Sequence, residues 1–145
     1  MFLHVFYSWL IAQVFHPLLF MVLFYLSHGY VSHINAGDIF VFLVISTIVS
    51  SPCLLLGWLF LGVIVYSGYT GHAKFFLWLG TSAALVFLNF WCIVLFFDPN
   101  ILREYSVWMI PGILSIWISS ILRFRQFQEL IDREISMPDR DLIIE

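Results

Sequence analysis

Ionic side chains are scarce in this sequence. Its 145 residues include six Lys and Arg and nine Asp and Glu, so 10% are charged. A water-facing surface takes about 25% charged residues, which excludes an ordinary soluble domain and leaves hydrocarbon as the main solvent of the chain. Cysteine is equally sparse. Cys53 and Cys92 both lie inside apolar runs, which excludes a disulfide framework and a zinc site built on paired thiols. As free thiols they act as small apolar packing residues. The net charge is −3 and the acidic residues gather towards the C-terminus, which gives no nucleic-acid signature. No Lys or Arg precedes the first apolar run, and that run continues for more than twenty residues from Phe2. It therefore reads as a retained helix and not as a cleaved leader.

What is present is apolar: 62% of residues are hydrophobic and 19% aromatic. Four runs, about 3–26, 39–66, 75–97 and 107–122, contain no Asp, Glu, Lys or Arg. A charge at a span centre costs roughly 2.5–3.5 kcal/mol, whereas each Leu, Ile, Phe or Val returns about 0.3–0.6. The expected fold is all-α, an integral membrane bundle of four transmembrane helices over 1–122 with a short C-terminal amphipathic helix in a cytoplasmic tail, 123–145. The fourth run is short and holds Pro111, so its helix is expected to begin near that proline, after an interfacial turn at Tyr105 to Trp108. Pro52 lies near the middle of the second run, which is expected to tilt or kink there; a split into two re-entrant halves is the alternative.

Orientation follows from Lys and Arg in short connections. Lys74 lies in the second connection, and Arg123 and Arg125 open the tail, whereas the first connection has neither residue type. After four crossings these positions share one side, which places both termini in the cytoplasm. Trp78 and Trp108 fall near span ends, where an indole suits the interface; the other four tryptophans are expected within the bundle.

Helices associate in lipid through small residues and hydrogen bonds, because apolar surface gives no preference for protein over lipid. Ser46, Cys53 and Gly57 share a stripe of the second run with Ser50. Gly80 and Ala84 form a small pair in the third, and Ser115 and Ser119 follow Pro111 at intervals of four in the fourth. These are the expected helix-packing positions. Gln13, His16, Ser50 and Asn89 form a polar layer at similar depth. An unpaired amide or imidazole in hydrocarbon costs several kcal/mol, so these side chains should face inward. The layer reads first as an inter-helix hydrogen-bond clamp and second as the lining of a path, since it contains no carboxylate or lysine for proton-coupled transport.

No catalytic residue, metal site or cofactor is assigned. His28, His33 and Asp38 flank the first connection without a metal-ligand spacing, and the stretch reads as a polar turn capping the next helix. His16 is the only histidine deep in a run, so a bis-histidine haem would need a second chain. In the tail, Phe124, Phe127, Ile131 and Ile135 follow helical spacing and are expected to contact the membrane surface or a partner. The functional expectation is a non-enzymatic subunit or scaffold whose partners are the lipid bilayer and either itself or another membrane protein. A homo-oligomeric pore lined by the polar layer comes second, and a cofactor-binding anchor of a redox complex third.

Overall fold

The computed structural model describes residues 1–28, 36–97 and 102–136, with some side chains near the helix ends left out. Within these residues the chain is all-helical: α1 (Phe2–His28), α2 (Ala36–Val65), α3 (Gly71–Phe97), α4 (Leu102–Leu122) and α5 (Phe124–Ile135). Residues Phe2–Leu23, Leu43–Val65 and Gly71–Cys92 are long and apolar enough to cross a membrane, and Met109–Leu122 forms a shorter apolar stretch within α4. The protein is a helical membrane bundle.

The helices pack in a ring. α1 meets α4 most extensively, α2 meets α3, α3 meets α4 and α1 meets α2, while diagonal partners barely touch. Because the chain alternates direction, the start of α1 lies at the same end as the α2–α3 turn and α5. At that end Val5, Leu61, Ile64, Val65, Phe75 and Trp78 pack with Phe127 and Ile131 into the main apolar core. The Phe75 ring meets Phe124 at 4.7 Å and Phe127 at 5.4 Å, both edge-on, an arrangement favoured by the ring quadrupoles.

Three expectations are corrected, and the alternative offered for Pro52 is excluded. First, α4 does not begin near Pro111. It runs as 21 residues from Leu102, and the proline lies inside it. At 1.5 Å per residue the helix is about 30 Å long, and Met109–Leu122 is its apolar part. Arg103 and Glu104 then fall in the first turn, away from the span centre. The expected turn from Tyr105 to Trp108 is helical. Second, Pro52 does not split α2, which is continuous over 30 residues. Each internal proline removes one backbone bond, and the neighbouring helices hold the rest in place.

Third, Trp58, Trp91 and Trp117, expected within the bundle, are exposed on its outer face, while Trp78 is buried in the core. The Trp117 indole still finds a partner, donating to the Leu79 carbonyl at 3.0 Å. Fourth, the apolar face of α5 is not free for another molecule. Phe127 is fully buried and Ile131 nearly so. The helix is strongly amphipathic, and its apolar face packs against the core at this end of the ring. Gly71 permits this approach, since a Cβ there would lie 2.8 Å from Gln128 Oε1. Phe124 is half-buried in the same cluster. The Ile135 side chain lies outside the described residues, as do His33, the His28, Asp38 and Trp108 side chains and the tail beyond Ser136.

Candidate functional site

A ring of four helices with little diagonal contact leaves space along its axis. That space is a chamber of about 650 Å³ walled by all four long helices. From the closed end upward, its level is set by Val5, Gly57 and Trp78, then by Trp9, Cys53, Ser82 and Ser115, and finally by Gln13, Ser46, His16 and Asn89.

The α1–α2 wall carries a hydrogen-bonded clamp. Gln13 Nε2 donates to Ser50 Oγ at 2.8 Å, and Ser46 Oγ donates to Gln13 Oε1 at 2.6 Å. Trp9 Nε1 also donates to Ser50 Oγ, at 3.0 Å, while Ser50 Oγ donates to the Ser46 carbonyl at 2.6 Å. One glutamine thus holds two serines a turn apart, because an amide presents a donor and an acceptor from one planar group. Ser51, next in sequence, is exposed and bonds only its own helix at Ile48.

His16 and Asn89 stand elsewhere on the chamber wall. A Cβ on Gly112 would lie 3.1 Å from Val86 Cγ1 and 3.8 Å from His16 Nε2. α1, α3 and α4 therefore converge at the level of His16, with Asn89 one turn beyond Val86. The structure brings all four residues of the expected polar layer to one chamber: Gln13 and Ser50 bond directly, and His16 and Asn89 line its far end.

The small-residue stripes divide in two. Gly57 is buried where a Cβ would meet Val5 at 3.3 Å, Trp78 at 3.7 Å and Leu85 at 3.8 Å. Cys53 Sγ lies 3.6 Å from the Leu85 carbonyl, to which it donates, and both cysteines are free thiols. Ser115 and Ser119 are buried, each bonding a carbonyl of its own helix. Gly80 and Ala84 behave differently. Both are exposed, and nothing lies within 4 Å of a Cβ on Gly80. Their expected role in packing this bundle is corrected: they face outward.

Several residues lay beyond the sequence reading. Ser120 is fully buried and accepts from Trp78 Nε1 at 3.2 Å. Lys74, counted only for orientation, is 2% exposed and donates to the Val65 carbonyl at 2.6 Å. His4 and Ser8 are buried on one face of α1; neither the His4 ring nitrogens nor the Ser8 hydroxyl has a hydrogen-bond partner among the described residues. The i, i+4 spacing of His4 and Ser8 signals a shared face, but nothing in it says that the face is internal. At the same end the Arg123 guanidinium lies 5.2 Å from the Tyr7 ring centroid, a cation–π contact.

No family model matches this chain, and neither does a curated protein or a solved structure. Among the described residues, no group of three or more His, Cys, Asp or Glu side chains is placed to hold a metal ion.

Proposed function

We propose that this chain is a multi-pass membrane subunit that works by assembly and without catalysis, joining a second copy or another membrane protein through the outer face of α3. The observation that carries this reading is the outward exposure of Gly80 and Ala84. In lipid, apolar area gives helices no reason to associate, so close backbone approach over small residues supplies the contact. Leu77, Phe87 and Trp91 continue the same exposed stripe, and the last two rings stack at 6.3 Å. Two small residues flanked by large ones make a notch with raised sides, a shape that a partner helix can fill.

Both termini belong on the cytoplasmic side in this reading. Lys74, Arg123, Arg125 and Arg133 all lie at the end of the bundle occupied by Met1 and α5, as the positive-inside rule requires. The pore reading draws on the chamber, but Trp78 and the core with Phe127 close it at one end within a single chain. A conducting path would therefore run between copies.

The test is copper-phenanthroline crosslinking of the full chain in membranes. Phe87→Cys in a Cys92→Ser chain places a thiol on the exposed stripe of α3, so a second copy docked there brings two such thiols close. The expected result is a Phe87→Cys-dependent dimer that weakens at least tenfold in Gly80→Leu/Ala84→Leu, with helicity unchanged. Monomeric mass in mild detergent, together with no crosslink and no partner-dependent energy transfer in membranes, would overturn it. Ion flux no higher than in protein-free liposomes would remove the pore.

A further inference from the structure

The chamber is built asymmetrically. Its lower walls are formed by side chains such as Leu54, Leu85 and Trp78, and its polar side chains accumulate towards the far end, where α1 brings Gln13 and His16 and α3 brings Asn89. Its volume, about 650 Å³, falls within the roughly 300–1,000 Å³ of small-molecule sites, and helix-bundle cores are common places for them. None of the residues lining it is Asp, Glu, Lys or Arg.

From this arrangement we propose that the chamber binds one uncharged amphiphile, a lipid-soluble molecule with an apolar tail and a neutral hydrogen-bonding head. The tail lies towards Trp78 and the head towards Gln13, His16 and Asn89. Each step of the assignment has a physical cause. The apolar lower walls gain from covering by an apolar guest. A head group buried at that depth needs partners, and an amide offers two donors and an acceptor with two lone pairs. Gln13 uses one donor on Ser50 and accepts once from Ser46, so it retains capacity towards the chamber. A carboxylate or ammonium head would enter with no counter-charge on any wall, which is far more costly than burying a hydroxyl or carbonyl. The closed lower end stops the tail from threading through. This site is independent of the outer face of α3.

The test compares two fluorescent polyenes with one tail and different heads, parinaryl alcohol and parinaric acid at pH 8, added to the full chain in lipid nanodiscs. Trp9 and Trp78 line the chamber, so energy transfer from tryptophan reports occupancy, and native mass spectrometry counts bound molecules. The alcohol should saturate at one per chain and bind at least tenfold more tightly than the acid. Asn89→Leu should weaken the alcohol about tenfold. Ser82→Leu/Ser115→Leu, which fills the chamber from two walls, should abolish the saturable component. Should that variant not fold, competition by unlabelled octadecanol on the unmodified chain decides the same question by displacing the probe. Energy transfer that never saturates, or that survives both chamber filling and competitor, overturns the proposal. Equal binding of alcohol and acid overturns the neutral-head assignment.

Discussion

Lys74 places its ammonium group against the end of the preceding helix, with Nζ 2.6 Å from the carbonyl oxygen of Val65. The last carbonyls of a helix have no intrahelical partner and carry partial negative charge, so a cation there satisfies and neutralises them together. α3 starts with the Lys74 amide bonded to the Thr70 carbonyl at 2.9 Å. One residue thus joins the end of α2 to the start of α3 beside the core that α5 covers.

Replacing Lys74 with Met keeps the apolar stem and leaves the carbonyl unpaired. The expected loss is about 1–3 kcal/mol, the cost of an orphaned buried acceptor. Unfolding by sodium dodecyl sulfate, followed by circular dichroism, measures it; a loss within error would show that the carbonyl finds another donor.

The α1–α2 clamp predicts coupling between Gln13 and Ser46. In a double-mutant cycle with Gln13→Leu and Ser46→Ala, the interaction energy should be about 0.6–1.7 kcal/mol, the range seen for hydrogen bonds inside membrane bundles. Additive effects would mean that the two side chains act separately.

Phe127 and Phe76 separate packing from lipid exposure. Phe127 is 0% exposed and Phe76 69%. Phe127→Ala should cost about 3–5 kcal/mol through the cavity it leaves. It should also free α5, so that trypsin cuts at Arg123 and Arg125 faster than in the parent. Phe76→Ala should stay within about 0.5 kcal/mol, as surface substitutions do.

Glycines in the same helix should respond in opposite ways. Gly57→Leu drives a side chain into Val5, Trp78 and Leu85, and overpacking costs about 1–3 kcal/mol. A Cβ on Gly62 would meet nothing within 4 Å, so Gly62→Ala should gain about 0.5–1 kcal/mol from helix entropy. Thermal midpoints in one detergent rank the two variants against the parent.

Tyr66 donates from its hydroxyl to Glu134 Oε2 at 3.0 Å, linking the end of α2 to α5. The hydrogen bond to the carboxylate, and its negative charge, raise the phenol above its ordinary value of 10. The neutral phenol is the form favoured in the fold. Its contact with Glu134 is therefore complete below the ordinary value and is lost as pH rises through the raised one. Ultraviolet titration should show a late-titrating tyrosine that moves back towards 10 in Glu134→Gln. No change on that substitution would separate the two groups.

The polar layer shows how far local spacing reaches. Gln13 and Ser50 were legible as inward-facing because an amide in hydrocarbon must find a partner. The identity of that partner was not, since it depends on the register between α1 and α2. α5 differs again. Its apolar face was plain from Phe124, Phe127 and Ile131, but the bundle end that covers it comes from residues as distant as Val5 and Phe75.

The amino-acid sequence by itself determined that the chain is helical, that its long helices are apolar over membrane-spanning lengths, and that a short amphipathic helix follows them. Those properties depend on composition and local periodicity, and lipid rewards them whatever the neighbours. Only the tertiary structure decided which of the small-residue stripes turn inward and which partners the polar side chains meet. Gly57 and Gly80 look alike in sequence, yet one is packed beneath Val5 and the other is open to the outside. In water, polarity would mark the outer face of a helix; in hydrocarbon most of both faces is apolar, so side-chain fit and hydrogen bonds between neighbouring helices select the rotation.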